Sequence, residues 1–217
     1  MEIKITPFQR EVAQAFFTLP AARGFVLSGG AALIATGVVD RYTEDLDFFA
    51  ARGEGDVQQA KLEFLELCNT RGWKVEIIHD AGHFVRLAID SGSDVLAIDL
   101  GLDATPLVEP TVTFIGPTLA VTENAGRKVL ALFGRWLPRD FVDTFALSKL
   151  YSKAELLELA GERDAGFDNW HFAQALRYFG KRPVESFQVP DIKFEEMRSF
   201  FNEWAKELES DGPKWQE

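Results

Sequence analysis

The sequence predicts an α+β protein: a mixed, largely antiparallel sheet with flanking helices, followed by a C-terminal helical bundle. Three observations carry this. Between Trp73 and Leu100, three apolar runs (Trp73 to His79, Phe84 to Ile89, Val95 to Leu100) are joined by DAGH and DSGSD. The Gly, Asp and Ser of those connectors suit hairpin turns, so the runs read as an antiparallel meander. From Thr122 onward the pattern turns helical through five segments, ENAGRKVLALFGR, PRDFVDTFALSKLY, KAELLELAGER, FDNWHFAQALRYF and DIKFEEMRSFFNEWAKELE. Residues 101–121, rich in Pro, Gly and Thr and with one short strand expected near Val112 to Ile115, separate the two regimes. The expected domains are therefore 1–121 and 122–217.

The remaining elements follow in chain order. Phe8, Val12, Ala15 and Phe16 recur at helical spacing between Pro7 and Thr18, and Pro20 closes that helix. Phe25-Val26-Leu27 is a short buried strand broken by Ser28-Gly29-Gly30, and Ala31 to Thr36 is compatible with a short helix. The segment VVDRYTEDLDFFA enters a second strand, and the polar loop ARGEGD leads to an amphipathic helix from Val57 to Thr70. Leu62, Leu65 and Cys68 are expected on the inner face of that helix. In the last helix, Met197, Phe200, Phe201, Trp204 and Leu208 form an apolar stripe expected to be core, and Trp170, Phe172, Tyr178 and Phe179 are assigned to core as well.

With 217 residues, 47% hydrophobic and 26% charged, the chain is long enough for a large core or two smaller ones, and it has the composition of a globular protein. Its net charge of −11 argues against a surface given over to phosphate contacts and leaves room only for a local basic groove. The single cysteine, Cys68, has no partner within the chain and sits in an apolar pattern, which favours a reducing compartment. The N-terminal MEIKITPFQREVAQ lacks the apolar core of a signal peptide, and no segment has the length of a membrane span. A cytoplasmic location without membrane association is expected. His79, His83 and His171 show no metal-ligand spacing.

The chemistry is expected around Phe25 to Phe49. A strand, a glycine turn and a helix start leave backbone N–H groups exposed to a phosphate. Asp45 and Asp47 lie two apart in the next strand, so they share a face opposite Leu46 and Phe48 and can bind one hard cation together. Asp99, an inward acid between Ile98 and Leu100, is the preferred third carboxylate, because Asp90 opens a hairpin turn and Asp103 lies past the strand end. Three acids facing a glycine turn are what two-metal phosphoryl or nucleotidyl transfer requires.

The SGG turn, the helix and RYTEDLDFF together resemble the nucleotidyltransferase signature of the DNA polymerase β-like superfamily. More narrowly, they resemble the AbiEii/AbiGii type IV toxin nucleotidyltransferases, as ENAGRKVLALFGRWLPRDFVDTFAL resembles that family's helical lysine and Arg-Asp-x-x-Asp motifs. The resemblance covers roughly residues 24 to 170 and implies a nucleotidyltransferase fold with a helical domain closing a nucleotide cleft. It implies that Ser28, Gly29 and Gly30 hold the triphosphate and that Asp45 and Asp47 bind metal; Asp99, read from its strand, is the expected third acid of a two-Mg²⁺ site. Lys128 and Asp143 match its later functional positions, with Lys128 and Arg139 at the nucleotide. One departure is that the serine precedes two glycines instead of following one, which shifts phosphate binding toward backbone donors.

The family further implies a toxin of a bacterial toxin–antitoxin or phage-defence pair, using an NTP to modify RNA, with the tRNA acceptor end as the expected target and a cognate antitoxin as partner. Arg127, Lys128, Arg135, Arg139 and Lys149 form the only dense basic patch for such an RNA. Two alternatives remain open: a small-molecule acceptor, as in aminoglycoside-type nucleotidyltransferases, to which an acidic surface is suited, and a non-catalytic nucleotide-binding protein of the same fold. Lys128 as a solvated helix residue, and Arg139 paired structurally with Asp140 or Asp143, are the corresponding architectural readings.

Overall fold

The computed structural model describes residues 4–187 and 189–210. The chain divides into two compact units between Asn124 and Ala125.

In the first unit, helix α1 (Pro7–Phe16) begins at a capping box. The Gln9 N–H donates to Thr6 Oγ1 at 3.1 Å, the Thr6 N–H donates to Gln9 Oε1 at 2.9 Å, and Pro7 occupies the first turn. A 3-10 turn, Pro20–Ala22, leads to strand β1 (Phe25–Ser28), which runs directly into helix α2 (Gly29–Ala35). The helix thus opens at the glycines, two residues before the expected start at Ala31. Strand β2 (Asp45–Ala51) and helix α3 (Val57–Thr70) follow, the latter capped by the Asp56 carboxylate, which accepts from the N–H groups of Gln58 and Gln59.

Strands β3 (Lys74–Asp80), β4 (Phe84–Asp90) and β5 (Val95–Asp103) form the expected antiparallel meander. The connection beyond them carries two short strands, β6 (Thr111–Val112) and β7 (Pro117–Thr118). All seven join one mixed sheet in the order β3-β4-β5-β2-β1-β7-β6. The pairs β2–β5 and β1–β7 are parallel and the others antiparallel.

Alternation along the strands sends Leu46, Phe48 and Ala50, then Val85, Leu87 and Ile89, then Leu96, Ile98 and Leu100 into one core with α1 and α3. Phe16 is central to it, stacked on Phe48 at 4.4 Å and edge-on to Phe25 and Phe64. The inner face of α3 is Val57, Ala60, Phe64 and Cys68, whereas Leu62 is 56% exposed. The expected face was therefore rotated: anchoring on Leu62 and Leu65 passed over Phe64, whose stripe runs through Cys68. Burial pushes the Cys68 thiol up to about 12, so it stays protonated and unreactive at neutral pH.

The sequence division falls within helix α4 (Val121–Arg135), so most of α4 belongs to the second unit. That unit adds α5 (Pro138–Leu147), α6 (Lys153–Gly161), α7 (Asn169–Arg177), two 3-10 turns (Tyr178–Lys181 and Val184–Phe187) and α8 (Asp191–Ser210). A Cβ at Gly126 would meet the Leu159 carbonyl oxygen at 2.5 Å, so the glycine is what lets α6 lie against α4. The core is aromatic: Phe141 packs edge-on against Phe179 at 5.4 Å and Phe201 at 5.1 Å, and Phe172 against Trp204 at 5.2 Å. Met197, Phe201, Trp204 and Leu208 of α8 are buried as expected, and Phe200 is half-buried. Trp170 is exposed instead of core, and Tyr178 is half-buried, stacked on Trp136 at 4.2 Å.

Candidate active site

Strand register builds the site. Ser28 pairs with Asp47 across β1–β2, Asp47 with Asp99 across β2–β5, and Asp99 with Arg86 across β5–β4. Cross-strand partners share a face, so Ser28, Asp47, Asp99 and Arg86 form one row across four strands, and Asp45 joins that face two residues along. Because Leu46, Phe48, Ile98 and Leu100 fill the α1/α3 core, the acids lie on the other side of the sheet. Asp99 is only 5% exposed, yet it faces away from the core in which the flanking apolar residues had suggested it would sit. Asp90 accepts from the Gly92 N–H within the hairpin turn, and Asp103, the last residue of β5, pairs with Ala51 at the far end of β2. Neither belongs to the row.

Several contacts hold this row. Gln9 of α1 donates through Nε2 to the Thr43 carbonyl at 2.7 Å, and Thr43 Oγ1 donates to Asp45 Oδ1 at 3.2 Å, so the loop before β2 is fixed from both sides. Asn124 Nδ2 donates to the Gly29 carbonyl at 3.0 Å, anchoring the start of α2. Gly29 has φ +65°, and a Cβ on it would overlap Asp47 Oδ2; a Cβ on Gly30 would meet the Arg41 guanidinium. Gly29 is thus required by its backbone conformation and by the close approach of Asp47, whereas the contact at Gly30 is with the flexible end of Arg41. Ser28 is buried and its side chain makes no capping bond to α2. Gly29→Ala is expected to lose about 1–2 kcal/mol from the left-handed backbone alone, before the clash with Asp47. Urea unfolding measures this loss.

Asp99 is held by a fork: Arg86 Nε donates to Oδ1 at 2.7 Å and Nη2 to Oδ2 at 2.6 Å. These bonds raise the Arg86 pKa above its ordinary value against the opposing effect of burial, and the charges of Asp99, Asp45 and Asp47 add to the rise. Asp45 and Asp47 offer hard oxygen donors on one face and fit a divalent cation. Asp99 brings no oxygen outside the fork, and among the described residues no group of three or more His, Cys, Asp or Glu is disposed to hold a metal ion. Of the histidines, His171 serves α7, with its N–H and ring Nδ1 on the capping Asp168.

The second unit collects the other candidates. Lys128 is 5% exposed and lies 2.8 Å from Asp143 and 3.9 Å from Asp140, both fully buried. Asp140 accepts a fork from Arg135, at 2.8 and 2.9 Å, and Arg139 is half-buried at the start of α5. Lys149 lies over the Phe145 ring at 4.2 Å. Arg86, Arg41 and Asn124 are the residues sequence reasoning passed over. Arg86 was accessible from the hairpin: once DSGSD pairs Asp90 with Val95, counting back places Arg86 opposite Asp99.

A glycine turn opening a helix beside a strand with two acids, on a mixed α+β sheet, defines a nucleotidyltransferase. The profile of the family described as nucleotidyl transferase AbiEii toxin, type IV TA system, matches residues 13–216, and the chain belongs to that family. Its fold is shared with two Helicobacter pylori crystal structures. One, provisionally assigned as a nucleotidyltransferase, has 20% identity and TM-score 0.59, over 95% of this chain and 97% of that one. The other, JHP933, has 20% identity and TM-score 0.55, over 93% and 90%. MenT4, nucleotidyltransferase toxin Rv2826c from Mycobacterium tuberculosis H37Rv, is 17% identical at TM-score 0.49, over 94% and 89%. No curated protein matches. The family implies an NTP as co-substrate and an antitoxin as counterpart. Among the described residues, no helix is long and apolar enough to cross a membrane.

Proposed function

We propose that the chain transfers a nucleoside monophosphate from an NTP to an RNA, with the tRNA acceptor end as target, in an Mg²⁺-dependent reaction that makes it the toxin of its pair. The observation that supports this reading is the row Ser28, Asp47 and Asp99 in register on three adjacent strands, next to the Gly29 turn. Asp45 and Asp47 are the metal ligands, Asp99 is the third acid, and Ser28, Gly29 and Gly30 receive the triphosphate. A bound divalent cation neutralises the departing pyrophosphate and lowers the pKa of the attacking hydroxyl. Thr43 orients Asp45 through its hydroxyl, and the absence of a side chain at Gly29 leaves Asp47 its position. Lys128, Asp143 and Arg139 remain the proposed contributions of the helical unit, with Lys128 and Arg139 at the nucleotide.

A second reading, a small cationic acceptor, is favoured by the state of the basic patch. Lys128 and Arg135 are neutralised by Asp143 and Asp140, which leaves an acidic protein with less positive surface for RNA than the sequence suggested. Incubation with Mg²⁺ and each labelled NTP, against total tRNA and against an aminoglycoside panel, separates the two. Label in tRNA alone supports the RNA reading, label in a small molecule alone replaces it, and no transfer with no NTP binding removes both.

A further inference from the structure

The geometry points to Arg86 as a built-in cation that takes the place of a second divalent ion at Asp99, so that without nucleotide the chain binds one ion, at Asp45 and Asp47. This rests on the metal reading of those two acids and adds to it a residue that sets how many ions the site accepts.

The argument begins with Asp99. A carboxylate this buried needs a positive or hydrogen-bonding partner, because charge removed from water is costly to leave uncompensated. Arg86 supplies both, through two nearly parallel N–H bonds at 2.6 and 2.7 Å that match the planar carboxylate. A guanidinium stays protonated at any physiological pH, so the pair does not open by titration. It opens only when another cation competes for Asp99 or another anion competes for Arg86. A metal ion reaching Asp99 must displace this bidentate bond.

The charges agree with the geometry. Arg86 feels Asp45 and Asp47 as well as Asp99, so one guanidinium already offsets part of the repulsion among three acids. The Arg86 side chain is 42% exposed against 7% for Asp99, so the arginine is the partner open to solvent. An arriving triphosphate is an alternative acceptor for the same fork. Nucleotide would then draw Arg86 onto phosphate oxygens and free Asp99 in one exchange, which couples occupancy of the third acid to the presence of substrate.

Mn²⁺ binding to the nucleotide-free protein, counted by calorimetry and by electron paramagnetic resonance, tests this without reference to activity. One ion per chain is expected for the wild type, two for Arg86→Gln, and one again for Arg86→Gln/Asp99→Asn. Arg86→Lys, which keeps the charge, should stay at one. Thermal melts confirm that each variant is folded, and the wild-type count stands even if Arg86→Gln is not. Two equivalent ions on the wild type, or one ion on a folded Arg86→Gln, overturn the role of Arg86. In either case the metal reading survives if Asp47→Asn loses an ion. No binding to the wild type and to Arg86→Gln overturns both.

Discussion

Asp47→Asn is expected to lower nucleotidyl transfer at least a thousandfold while leaving the fold intact. The substitution keeps the volume of the side chain and removes one of two charged donors from the face that fits a divalent cation. A thousandfold loss corresponds to about 4 kcal/mol of transition-state stabilisation, within what charge neutralisation by a metal supplies. The fold should be retained, because the substitution is nearly isosteric at a half-buried position. Single-turnover transfer with labelled NTP, together with a urea melt, checks both halves of the prediction. A variant that retains transfer within tenfold of the wild type would remove Asp47 from the chemistry.

Lys128→Met should have its largest effect on stability. Lys128, Asp140 and Asp143 are all buried, and the lysine ammonium lies 2.8 Å from Asp143. Removing one member of a buried pair typically costs about 3–5 kcal/mol, because the remaining charge loses its compensation. Urea unfolding should show that loss for Lys128→Met. Lys128→Met/Asp143→Leu should recover most of it, since apolar replacement of a whole buried pair is often neutral. The double variant also separates architecture from chemistry. If Lys128 meets the triphosphate, transfer stays lost after stability returns; transfer that returns with stability assigns the pair to holding α4 against α5.

The acids were legible because period-two alternation and a glycine turn are local signals, and Asp45 and Asp47 lie on one face as read. The meander was legible for the same reason, through its turn residues. What no local pattern announces is that β2 inserts parallel to β5, which brings Asp47 beside Asp99. Parallel neighbours are not joined by a tight turn, so the sequence between them carries no register. Arg86 was overlooked because a charged residue alternating with Val85 and Leu87 reads as solvated. Its partner becomes visible only when hairpin register is counted. The basic patch was read from positive residues alone, without the acids one helix further on: Asp140 and Asp143 take up Arg135 and Lys128.

The parallel pairing of β2 with β5 also sets when the site comes into being. The β3–β4–β5 meander consists of contacts close in sequence and can form early, whereas β2 must wait for a partner that follows the whole meander in the chain. During synthesis, Asp45 and Asp47 leave the ribosome well before Asp99 and Arg86 are aligned beside them. A nascent or truncated chain ending before β5 therefore carries the glycine turn and two acids without the strand that completes the row. Assembly of the row of acids is thus tied to completion of the sheet.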